Sequence, residues 1–162
     1  MKESNFLNNL RKEDKLQLVE PSEDICSSYL EKADNCLKSA KLLLPNNLYE
    51  NSISMAYYTM YNSLTALLFK AGIKCENHSG SIILFKNLFN KLDLFKIISF
   101  AKKERIDKQY YVTTEKSEIT KDSAEELVLK SEDFIVKMKL IIKNLTNEEI
   151  DNIRKDFEVL VG

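Results

Sequence analysis

Between Leu48 and Phe89 the chain spaces its apolar residues at the period of an α-helix. Ile53, Ala56, Tyr57, Met60, Leu64, Leu67 and Leu68 recur at separations of three and four. Small residues (Ser52, Ser54, Ala56, Thr59, Ser63, Thr65, Ala66) fill the gaps, so neighbouring helices can approach closely. Gly72 follows, a residue that readily takes the left-handed conformation of a helix C-terminus. Asn77 or Ser79 is placed to cap a second helix carrying Ile82, Ile83, Phe85, Leu88 and Phe89. Periodicity alone therefore sets a helix–turn–helix at the centre of the chain.

The other segments agree with that beginning. Pro21-Ser22-Glu23 marks a helix start, with Ser22 as cap. The helix it opens is expected to run to about Leu44 and to bury Ile25, Tyr29, Ala33, Cys36 or Leu37, Ala40 and Leu44. Pro45-Asn46-Asn47 is a short connection suited to an antiparallel neighbour, making these two helices the central hairpin. Leu94, Phe95, Ile97, Ile98 and Ala101 resume the pattern after a break at Asn90 to Asp93. A loop is expected from Val112 to Ile119. Thr120 to Ser123 then caps a long helix ending near Asn144, with Leu127, Ser131, Phe134, Ile135, Met138, Ile141 and Ile142 inward. Thr146-Asn147-Glu148-Glu149 starts a last helix with Ile150, Ile153, Phe157 and Leu160. Residues 1–20 read either as a short, partly frayed helix or as a docking arm, and 21–162 as one domain.

Three glycines and two prolines in 162 residues favour an all-α protein, long enough to bury a core without staples. With 24 basic and 25 acidic residues there is no global field to attract nucleic acid, so such a role needs a local patch or a groove formed by a dimer. Cys26, Cys36 and Cys75 show no paired spacing and fit reduced thiols. The N-terminal residues lack the apolar core of a signal peptide, and no window has the roughly twenty apolar residues of a membrane span. The expectation is a soluble cytoplasmic protein with no membrane partner.

Motifs for phosphate loops, zinc hydrolases and serine hydrolases are absent. The single histidine leaves little basis for a metal site. His78, in Lys74-Cys75-Glu76-Asn77-His78-Ser79-Gly80, reads either as a junction residue locking a turn or as a general acid or base. Tyr57, Tyr58 and Tyr61 read as core or interface aromatics: Tyr57 and Tyr61 share a face, and Tyr58 is placed to line a dimer seam. Lys102-Lys103-Glu104-Arg105-Ile106-Asp107-Lys108-Gln109-Tyr110-Tyr111 reads, on its own, as a charged helix end with cations where the helix dipole favours them.

Ala56-Tyr57-Tyr58, Ala66-Leu67-Leu68, His78-Ser79-Gly80 and Arg105 to Tyr111 together resemble the HEPN family, in its UPF0332-like branch. The resemblance runs from about Pro21 to Met138. It implies an antiparallel up-and-down bundle of four to five main helices with short terminal ones. It also implies an isologous homodimer with the Arg105 helices across the twofold axis. Family members include the toxin component of pairs with a minimal nucleotidyltransferase, and their activity is RNA cleavage without metal or cofactor. Their motif is an Arg followed four to six residues later by a His. Here Arg105 takes the Arg position, where it would grip the scissile phosphate. Tyr110 stands where the His would move the proton of the attacking 2′-hydroxyl.

That substitution matters, because tyrosine titrates near ~10 against ~6.5 for histidine. Cleavage is therefore expected to be weakened or lost unless Asp107 or His78 substitutes. The alternative is a non-catalytic module that binds a nucleotide or a partner. The family's extended motif places a modifiable tyrosine two residues beyond the His, a position held here by Val112. Tyr110 and Tyr111 lie just short of it and are the candidates for nucleotide binding or modification.

Overall fold

Local signals set the helix boundaries. In the computed structural model, residues 2–110 and 119–162 are described, except for the side chains of residues 107–110. The order is α1 (Lys2–Lys12), β1 (Leu16–Leu18), α2 (Glu23–Leu43), a 3-10 turn (Leu44–Asn46), α3 (Tyr49–Lys70), β2 (Ile73–Cys75), α4 (His78–Phe89), α5 (Leu92–Tyr110), α6 (Lys121–Asn144) and α7 (Asn147–Val161). Ser22, Asn77 and Thr120 cap α2, α4 and α6, their side-chain oxygens accepting from the backbone N–H three residues on. Thr146 and Glu149 form a reciprocal capping box at α7. Asn47, Gly72 and Asn90 take positive φ at the exits of the 3-10 turn, α3 and α4.

α3 is the axle of an all-α bundle. It packs most extensively against α2, the expected hairpin partner, and also against α5, α6, α4 and β2. Burial all round is what a helix with apolar residues on most faces requires. Its hydroxyl residues tolerate that burial by bonding backbone carbonyls. Ser52 Oγ reaches Ala40 O at 2.8 Å, and Thr59, Ser63 and Thr65 bond the preceding turn of α3. Small residues keep the packing close: Ala33 and Ala40 on α2 and Ala56 and Ala66 on α3 are fully buried. The inner face of α6 is as expected, apart from Ile141, which is only partly buried.

Two expectations about local placement need correction. Ile25 is exposed and Cys26 takes the buried position. Helix α2 begins at Glu23, and a shift of one residue turns a side chain about 100° round the axis. The second concerns strands, which the helical reading did not anticipate. β1 and β2 pair antiparallel, Leu16 opposite Cys75 and Leu18 opposite Ile73. The ribbon fastens the segment after α1 to the α3–α4 connection, while Leu7, Leu10 and Leu16 enter the core. Arg154 of α7 reinforces the junction, its Nη1 donating to Val19 O at 2.7 Å and Gly72 O at 2.8 Å. Pairings this short carry no hydrophobic alternation long enough to read.

Candidate functional site

Three helices meet around Tyr57. This residue sits mid-way along α3 and is fully buried. Its phenol lies 2.8 Å from Nδ1 of His78, the first residue of α4. The phenol is buried and the imidazole is its only hydrogen-bond partner among the described residues, so we assign the phenol as donor and Nδ1 as acceptor. His78 is then neutral and carries its own proton on Nε2. Burial, then the Arg105 and Lys102 charges, hold its pKa below the usual histidine value. Desolvation pushes the Tyr57 and Tyr61 phenols upward in turn, so both stay protonated at neutral pH.

The His78 ring is fixed by stacking as well. It lies 3.8 Å from the Tyr61 ring, with 14° between the planes, and meets Tyr58 edge-on at 6.2 Å. Tyr57 and Tyr61 occupy successive turns of one α3 face, so a single ring can bond to one and stack on the other.

Helix α5 brings the cations. Arg105 Cζ lies 4.8 Å from the Tyr58 ring centre and 5.5 Å from that of Tyr57. Its Nε is buried and has no hydrogen-bond partner among the described residues. One turn earlier Lys102 donates to Ser79 Oγ, and burial lowers its pKa. Two cations and the N-terminus of α4 thus converge, giving local positive potential in a chain whose formal net charge is −1.

Two open grooves flank this cluster. One, of about 510 Å³, is lined by His78, Tyr61, Tyr58 and Asn62 and also by Tyr29 and Phe69. The other, of about 540 Å³, has Arg105, Tyr58, Leu42 and Asn51 on its walls. Tyr58 and Met55 form the partition between them.

Of the residues singled out in the sequence, Arg105 and His78 are brought together over the Tyr57–Tyr58 pair. Asp107 and Tyr110 belong to the α5 backbone, but their side chains lie outside the described residues, as do Tyr111 and the segment 112–118. No linear spacing reveals the Tyr57–His78 bond, since the partners are 21 residues apart. Asn62, 3% exposed on α3, also passed unnoticed among core positions. Among the described residues, no cluster of His, Cys, Asp and Glu is suited to hold a metal ion, and no helix is long and apolar enough to cross a membrane.

Comparison with known proteins places the chain in a family context. The HEPN domain model matches residues 26–158. A Methanocaldococcus jannaschii protein named "putative toxin" is 35% identical over 132 residues, spanning 77% of this chain and 88% of the relative. A second protein of the same organism and the same naming is 29% identical over 121 residues, 72% of this chain and 87% of the relative. A UPF0332 protein from Thermotoga maritima is 33% identical over 69 residues, 43% of this chain and 52% of the relative.

Proposed function

The chain belongs to the HEPN domain family, and we propose that it is the toxin-type component of a toxin–antitoxin-like pair, acting on RNA through the Arg105–His78 site. The observation that carries this reading is the Arg105 guanidinium, held over Tyr58 in the same cluster as His78, with a buried Nε that has no partner among the described residues. A planar fork of donors in a positive, partly dry site suits a phosphodiester. The Nε2–H of His78, in the same cluster, is a second donor. The partner is a minimal nucleotidyltransferase-fold protein, and the working form is a homodimer.

Cleavage without a metal requires a base to take the 2′-hydroxyl proton as that oxygen attacks phosphorus, and an acid to protonate the departing 5′-oxygen. The products are a 2′,3′-cyclic phosphate and a free 5′-hydroxyl. Tyr110 is a poor base at neutral pH. His78 has its Nδ1 lone pair occupied by the Tyr57 phenol, which leaves it a donor. The site is therefore better built to hold RNA than to cut it, and cleavage by the isolated protein is slow. That same locked imidazole favours a second reading, a non-catalytic module that binds RNA or a nucleotide.

The test is cleavage of single-stranded RNA with EDTA present, comparing wild type, Arg105→Ala and Tyr110→His. The RNase reading expects weak cleavage lost in Arg105→Ala. It also expects a gain in Tyr110→His on the order of 10²-fold or more, because general acid–base catalysis typically contributes that much. Retention of RNA binding with no cleavage in any variant favours the binding module. Full activity in Arg105→Ala overturns both.

A further inference from the structure

Asn62 is a polar residue in an unusual place. Its side chain lies among the core-facing residues of α3 and is 3% exposed, yet its bonding is poor. Nδ2 donates to the Cys36 sulfur at 3.5 Å, a weak acceptor. Its Oδ1 has no hydrogen-bond partner among the described residues. Ser52, Thr59, Ser63 and Thr65, the hydroxyl neighbours on the same helix, each bond a backbone carbonyl. That oxygen is not among the buried atoms left without a partner, so it is open to solvent. It is the kind of group that a ligand completes.

The surroundings indicate which ligand. Asn62 lies on the wall of the groove of about 510 Å³, a size suited to a small-molecule site. The stacked pairs Tyr61–His78 and Tyr29–Phe69, the latter with 5.6 Å between centroids and 11° between planes, both line it. Aromatic walls accept a flat ring by stacking, whichever base it is. A carboxamide in the same lining offers a donor and an acceptor side by side, the pattern that matches a base edge. Lys32 lies over the Tyr29 ring at the rim, a cation placed for a phosphate rather than for a ring.

We propose that this groove is a nucleobase subsite, with the Asn62 carboxamide reading the base edge and the two aromatic pairs enclosing the ring. The inference rests on the reading of the neighbouring site as RNA-directed and names how a nucleotide beside the phosphate at Arg105 is held. Asn62 lines the one groove and Arg105 the other, with Tyr58 lining both.

The experiment is an NMR titration of the full chain with adenosine monophosphate, and with ribose 5-phosphate as a probe lacking the base. Adenosine monophosphate is expected to shift the Asn62 side-chain amide and the His78 ring signals, whereas ribose 5-phosphate leaves the Asn62 amide in place. Asn62→Leu is expected to weaken nucleotide binding at least tenfold, and Tyr58→Leu, at a partly exposed position, to weaken it severalfold if Asn62→Leu does not fold. Arg105→Ala is expected to retain mononucleotide binding within about twofold. If it does so while RNA cleavage and RNA binding are unaffected, the Arg105 reading fails and the subsite stands. The subsite is overturned if adenosine monophosphate at millimolar concentration leaves Asn62 unmoved, if ribose 5-phosphate shifts Asn62 equally, or if folded Asn62→Leu and Tyr58→Leu bind like wild type.

Discussion

Replacing Tyr57 by Phe tests the bond on which the site's chemistry turns. The ring stays, so the packing of a fully buried side chain is retained and no cavity opens. What goes is one hydroxyl, bonded at 2.8 Å to His78 Nδ1. A typical net hydrogen bond contributes about 1 kcal/mol, which in a chain of this size lowers the melting temperature by about 2–4 °C. Tyr57→Ala, by contrast, removes a large core side chain and is expected to cost on the order of 3–5 kcal/mol. The sharper readout is the imidazole. Since the phenol donates to the neutral ring, its loss favours the protonated form, and the His78 pKa rises in Tyr57→Phe. With one histidine in the chain, its ring protons give a single titration by NMR. A Tyr57→Phe protein that melts like wild type and leaves the titration unmoved, or moves it down, refutes the assignment of the proton to Nδ1. The same variant frees that nitrogen, so a gain in RNA cleavage is expected if His78 is the nearest substitute base.

Three further outcomes follow from the geometry. His78 holds its proton less tightly folded than unfolded, so the unfolded chain binds more protons below the ordinary value of 6.5. Stability is therefore flat above about 6.5 and falls as pH drops toward the folded pKa. Melting temperatures at about pH 7.5 and 5.5 should separate more for wild type than for His78→Gln, and equal separations would remove His78 as the cause. The carboxylates with lowered pKa values, Glu3, Glu76, Glu126 and Glu149, act below 4.5 and leave that window clear. Gly72→Ala places a Cβ at φ +73 with Arg154 Nη1 at 2.1 Å and Val19 O at 2.6 Å, so both strain and the Arg154 bonds are at stake. A loss of roughly 3 kcal/mol or more is expected in denaturant unfolding, and a loss under about 1 kcal/mol would mean that the junction relaxes freely. Thr146→Ala breaks the α7 capping box at an exposed site and should cost about 1 kcal/mol, read as a shift of about 2–4 °C on heating.

By itself the sequence determined the helices and most of what they bury. Ser22, Asn77, Thr120 and Thr146 are local signals, because a cap is a bond between residues three apart and needs nothing distant. The inward faces of α3 and α6 follow from period alone, since a helix fixes the angle between successive side chains. Ile25 shows the limit of that logic: where two adjacent apolar residues compete, a shift of one position decides which is buried.

Tertiary structure alone decided the rest. β1 and β2 are three residues each and gain their bonds only from one another across more than fifty positions of chain, so neither has a pattern to detect. Arg105 was legible as a candidate, but His78 was not legible as its neighbour. Tyr57 lies 21 residues before His78 and Arg105 a further 27 beyond it. They meet because α3, α4 and α5 pack together with the N-terminus of α4 near the middle of α3. Asn62 is the plainest case: in the sequence it is one polar residue on a core helix, and only the packing of α2 across it leaves a thiol as its partner among the described residues and a groove at its side.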